Sequence, residues 1–168
     1  AIAASELGTE WEAGSVEQTL VWQDDGAWCR TRPDWMSHDA RILADLKFTG
    51  GNAEPDAWSR GMLLGMGYDM QASFGLAGAR QFFGRADWPD PVFVFIVVET
   101  DPPHAVSFVS LDPQWIEFAE RKRQRALTIW RGCLERNEWP GYDARNQYAS
   151  PPEYALYRFG LVAETASK

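Results

Sequence analysis

The chain has 168 residues, a formal net charge of −8, a hydrophobic fraction of 45% and nine Trp residues. That is enough apolar material for one domain with a real core, too little length for two comfortable ones, and too much hydrophobicity for a disordered tail. The acidity argues against a general polyanion binder, whose affinity rests on neutralising phosphates, but leaves room for a local basic patch beside an acidic site.

Residues 1–14 are helix-compatible up to Gly14 and read as the remnant of an N-terminal helix or arm in a chain that begins with Ala1, without Met. Val16 to Trp22 reads as a first strand, Asp24-Asp25-Gly26 as a tight turn, and Ala27 to Trp35 as the hairpin partner, with Pro33 marking an edge or a bulge. Arg41 to Lys47 is a third strand, closed by Gly50-Gly51-Asn52. Pro55 suits the first turn of a helix, where its missing N–H does no harm. The spacing of Trp58, Met62, Met66, Met70 and Phe74 predicts one helix from there to about Phe83, with these residues as its core stripe. Trp88-Pro89-Asp90-Pro91 ends it.

Val92 to Val98 is continuously apolar and β-branched, the sign of a strand covered on both faces. Asp101-Pro102-Pro103 turns the chain into a partner strand over Ala105 to Leu111. Asp112-Pro113 is a capped start for a helix that carries Trp115, Ala119, Ile129, Trp130 and Cys133 and ends near Asn137. After the turn at Trp139-Pro140-Gly141-Tyr142, residues 143–168 form a Tyr- and Pro-rich tail. The order β-β-β-α-β-β-α predicts an α/β fold, one mixed sheet flanked by helices, in a single domain spanning 1–168. Cys29 and Cys133 fit no metal spacing and no disulfide framework, so they read as buried thiols. With no signal peptide and no membrane-length apolar run, a cytoplasmic location is expected.

The chemistry gathers between Arg30 and Lys47. Side chains alternate along a strand, so Asp45 and Lys47 share a face and Leu46 takes the other. Asp34 arrives from the preceding strand and Glu17 from the first. Carboxylates beside one ammonium suit a divalent cation such as Mg²⁺, with water completing its shell. The lysine can orient water or offset charge on phosphoryl oxygens. Gln71 and Tyr68 are polar groups on an otherwise apolar, glycine-rich helix. The run Glu120 to Arg125 is the densest basic cluster, and Arg121, Lys122 and Arg125 are its candidates for tracking phosphates. Each feature has a plainer reading. Asp45 and Lys47 could be a surface ion pair worth about 0–1 kcal/mol. Gln71 could satisfy buried backbone groups, and the basic run could be a solvated helix face.

Six collinear segments lift the pattern above an isolated D-x-K: VEQTLVW, CRTRPDWM, DLKFTG, GYDMQASF, FVFIVVETDPPHAV and EWPGY. Together they resemble the RecE-type exodeoxyribonuclease domain of the PD-(D/E)xK nuclease superfamily, common in phages and prophages, over about residues 15 to 142. The resemblance implies that Asp34, Asp45 and the Leu46 carbonyl ligate Mg²⁺ or Mn²⁺, with Glu17 extending the site. It further implies that Lys47 handles the water and that Gln71, with Tyr68 one turn before it, meets the DNA end. It carries duplex DNA ends as substrate, recombination as the setting, a ring-like homo-oligomer, and a single-strand annealing protein as partner. Two departures stand out: no His precedes Asp34, and Lys47-Phe48-Thr49 replaces the frequent Lys-Thr-Thr. A second reading is a catalytically inactive relative that binds DNA or a recombination partner. A third, a small-molecule binding α/β protein, lacks any Gly-rich phosphate loop.

Overall fold

Alternating and continuous apolar runs fold into seven strands and four helices among the residues that the computed structural model describes, 14–84, 90–142, 145 and 148–160. The expected arm at 1–13 and the Trp88-Pro89 part of the turn lie outside the described residues. The elements are β1 (Gly14–Val16), β2 (Leu20–Asp24), β3 (Ala27–Thr31), β4 (Trp35–Ser37), β5 (Ile42–Thr49), α1 (Pro55–Gly65), α2 (Tyr68–Phe83), β6 (Val92–Glu99), β7 (Val106–Ser110), α3 (Pro113–Arg136) and α4 (Glu153–Arg158). By contacts the chain divides into two compact units, Ala1–Arg136 and Asn137–Lys168. The second contains α4, which follows Pro152.

In the first unit a five-stranded mixed sheet runs in the order β1-β4-β5-β6-β7. The pairing of β5 with β6 is parallel and the others are antiparallel. A parallel pair needs a crossover, and α1 and α2 supply it. One sheet face, with Leu43, Phe93, Phe95, Val97 and Val109, packs against Trp58 and Leu63 of α1 and Leu76 and Ala79 of α2. On the other face Trp35, Ala44 and Ile96 form a separate apolar cluster. This is the expected mixed sheet flanked by helices.

Three expectations about element boundaries are corrected. The first strand is two strands, β1 and β2, because Glu17 between them takes φ 54° and turns the chain aside. The second is also two, β3 and β4, parted at Pro33, which has no N–H to give to a ladder. As a result β2 and β3 leave the main sheet as a separate two-stranded hairpin, closed by Asp25 (φ 47°) and Gly26 (φ 84°). The hairpin buries Trp22, Ala27 and Cys29 against Phe74 and Ala77 of α2 and Leu127 of α3. The long helix is two helices, α1 and α2, because Gly67 adopts φ 71°, which only a residue without a Cβ takes at no cost. The single core stripe therefore breaks: Trp58 is buried, whereas Met66 is 62% exposed.

Local signals hold where they rest on caps. Glu54 accepts from the Ala57 N–H at 2.9 Å just before Pro55, and Asp112 accepts from the Trp115 N–H at 2.8 Å just before Pro113. Cys29 and Cys133 are buried free thiols. No helix among the described residues is long and apolar enough to cross a membrane.

The layer contact is tight at Gly75, where an added Cβ would lie 2.6 Å from the Phe93 ring. Gly75→Val is expected to lower unfolding free energy by about 1–3 kcal/mol through overpacking, read from urea denaturation. A parental midpoint would show that α2 does not press on β6 there.

Candidate active site

The antiparallel register of β4 and β5 pairs Trp35 with Ala44 and Met36 with Leu43. Continued by one residue, it sets Asp34 across from Asp45. Pro33 interrupts the strand just there, so Asp34 keeps a side chain free to fold over: its Oδ2 accepts the Leu46 N–H at 2.7 Å. Like charges directly opposite on a sheet oppose folding, so this arrangement is costly without compensation.

The compensation comes from the same strand and from α2. Lys47 Nζ pairs with Asp45 Oδ1, and Gln71 Nε2 donates to Asp45 Oδ2. Asp45 and Lys47 do share a face, as alternation requires, but that face is turned toward the helix layer: Asp45 is 5% exposed. Lys47 lies over the Tyr68 ring at 4.4 Å from its centroid and 5.9 Å from that of Phe95. Tyr68 in turn stacks on Trp58, with centroids 5.6 Å apart. The break at Gly67 matters here, because it starts α2 where Tyr68 and Gln71 reach over β5.

Burial pushes the Asp45 carboxyl above the usual carboxylate range. The hydrogen bond and charge of Lys47 pull it down, the Asp34 charge raises it, and the Gln71 hydrogen bond lowers it. Because the fold disfavours the ionised form, Asp45's contribution to stability is lost as pH rises through its raised pKa. A cation shared with Asp34 would reverse that sign.

The remaining candidates are placed differently. The Glu17 N–H donates to the Asp34 carbonyl at 3.0 Å, but its carboxylate pairs with Arg32 at 2.8 Å, both half-exposed. Among the described residues no group of three or more His, Cys, Asp or Glu side chains gathers around a metal position. Asp34, just before β4, and Asp45 on β5 are two hard oxygen donors whose chemistry fits one hard divalent cation that keeps several waters. On α3, Arg121 pairs with Glu117, and Lys122 turns inward to the fully buried Asp69 at 2.5 Å. Arg123 is buried between Asp24 and Glu120, whereas Arg125 is exposed. Sequence reasoning missed Asp69, whose partner is 53 residues away.

A family model described as a PDDEXK-like domain of unknown function (DUF3799) matches residues 1–150. No curated protein sequence matches the chain. Among solved structures, a candidate exonuclease from Eubacterium rectale superposes with a TM-score of 0.54 at 15% identity, over 86% of this chain and 59% of that one. The chain thus spans about three fifths of that protein, and the likeness is one of fold. SSO0001 aligns at 11% identity over 73% of this chain and 53% of that one, with a TM-score of 0.41.

If Asp45 is a ligand, Mn²⁺ must displace its proton, so affinity should fall by about tenfold per pH unit below the raised Asp45 pKa. Gln71→Leu removes a hydrogen bond that lowers this pKa and should move the acid limb to higher pH. Calorimetric titration of Mn²⁺ over a pH series reads both effects, and a pH-independent affinity would exclude Asp45 as a ligand.

Proposed function

The chain belongs to the DUF3799 family of PDDEXK-like domains, and from that premise we propose that it is a metal-dependent deoxyribonuclease of the RecE type, hydrolysing phosphodiester bonds from duplex DNA ends. One observation carries the reading: Asp34, just before β4, is tied to β5 by the Leu46 N–H, and Asp45 on β5 is paired with Lys47 and held by Gln71. The solved relative described as a candidate exonuclease supports the choice of chemistry.

Asp34 and Asp45 would hold Mg²⁺ or Mn²⁺, with the Leu46 carbonyl joining them as the family resemblance implies. Bound there, the cation supplies Lewis acidity to a phosphoryl oxygen and acidifies water. The chain's own residues set the stage for that chemistry. The Leu46 N–H fixes the Asp34 carboxylate, and Gln71 fixes that of Asp45. Lys47 keeps its ammonium at the site through Asp45 and the Tyr68 face, placed to offset negative charge that develops on the phosphoryl oxygens. Glu17 extends the site once its carboxylate leaves Arg32. A ring-like oligomer and an annealing partner stay with this proposal as properties of the resemblance.

End-labelled linear duplex and closed circular DNA, each with Mg²⁺ and with chelator, separate the readings. Loss of label from the linear duplex alone, only with metal, is the expected result. Asp45→Ala should abolish it, and Lys47→Ala should reduce it by roughly 10²–10³-fold, with circular dichroism unchanged. Cutting of the circle would make the protein an endonuclease. Binding without cutting would favour the inactive relative.

A further inference from the structure

Between the β2–β3 hairpin and α2 lies a cavity of about 480 Å³ lined by Thr19, Arg30, Thr31, Arg32, Gln71 and Phe74. Its lining offers two guanidinium groups, two hydroxyls and an amide, and no carboxylate. That composition is unusual in a chain of net charge −8. Cationic charge is left over here, as it is at the exposed Arg125 of α3. On α3, Lys122 and Arg123 are committed to buried or half-buried acids, and Arg121 is paired with Glu117. Arg30 has no acidic partner among the described residues.

Two sets of contacts link the cleft lining to the carboxylate pair. Gln71 lines it and donates its amide to Asp45. Arg32 stands two residues before Asp34 and pairs with Glu17, whose N–H donates to the Asp34 carbonyl. The backbone sets the spacing of the two arginines. β3 is extended through Thr31, and a residue preceding proline is biased to extended conformations, so Arg32 continues the path. Two residues on, side chains return to the same side, roughly 6.6 Å apart. Two guanidiniums so spaced can address neighbouring phosphates of one strand, each in the bidentate way that guanidinium favours. The Arg32–Glu17 pair is exposed and therefore weak, so a phosphate can take over the guanidinium at little cost.

We infer that this cleft receives the sugar-phosphate backbone of a nucleic-acid strand, with Arg30 and Arg32 on phosphates adjacent to the one presented to Asp34 and Asp45. The inference rests on the nuclease reading for its substrate, yet its test is separable. The probe is a labelled single-stranded DNA oligonucleotide, followed by fluorescence anisotropy in chelator over a series of NaCl concentrations.

For the parent, log affinity should fall linearly with log salt. Arg30→Gln should lessen the slope by about 0.7, and Arg30→Gln/Arg32→Gln by about twice that, the loss of one and two single-strand phosphate contacts. Arg30→Lys should restore the slope, because charge and not shape sets it, whereas a purely structural arginine would give no such rescue. Arg41→Gln, on the exposed turn before β5, should leave the slope parental. A double variant with the parental slope, or a parent that does not bind DNA at any salt, overturns the cleft assignment. A parent that binds with an Arg-dependent slope but cuts nothing in Mg²⁺ or Mn²⁺ upholds the cleft and removes the nuclease reading instead.

Discussion

A carboxylate just before β4, tied to β5 by the Leu46 N–H, and a second, buried on β5, are the constraint around which the first unit is arranged. The β4–β5 register, extended by one residue, and the Leu46 N–H bring Asp34 to Asp45. Burial raises the Asp45 pKa most, and the Asp34 charge adds to it. The fold tolerates the pair by ringing it with donors: the Leu46 N–H, the Lys47 ammonium and the Gln71 amide. A stability-driven sequence would place apolar side chains on this face, as it does at Leu43 one alternation earlier.

Helix α2 transmits that arrangement to the rest of the unit. It starts at the left-handed Gly67, which frees Tyr68 and Gln71 to lean over β5. Along its length it touches three partners. Gly75 lets it press on Phe93 of the sheet, and Gly78 lets it approach Trp22 and Thr31 of the hairpin, where a Cβ would lie 2.9 and 3.1 Å away. Asp69 and Ser73 bind Lys122 and Glu120 of α3. The glycines that weaken α2 as an isolated helix are therefore the positions that let sheet, hairpin and the Gln71 amide share one support.

Charge is distributed in keeping with this. The molecule is acidic overall, yet the buried Asp69 is paired with Lys122 and the half-buried Asp24 with Arg123. Such pairing consumes most of the basic run on α3. Beside the carboxylate pair, the hairpin cleft keeps accessible cationic side chains, Arg30 and the weakly paired Arg32.

Much of this was legible in the sequence because it depends on local geometry. Period-two alternation put Asp45 and Lys47 on one face and Leu46 on the other, Pro55 marked the start of α1 and the Asp112-Pro113 cap that of α3, and the apolar run at 92–98 announced a covered strand. The ordered acids, lysine and glutamine were enough to suggest the superfamily. Other features required coordinates, because they arise from contacts between residues far apart in sequence or from single backbone angles that propensity does not register. Glu17 and Pro33 each cut a strand in two and sent the hairpin out of the sheet, and Gly67 cut the helix. Lys122 looks solvent-facing along the chain and is drawn inward only because Asp69 lies buried beneath it. A sequence states which groups are available and which way neighbours alternate, but only packing decides which charge meets which, since that choice is made by segments that have no local information about one another.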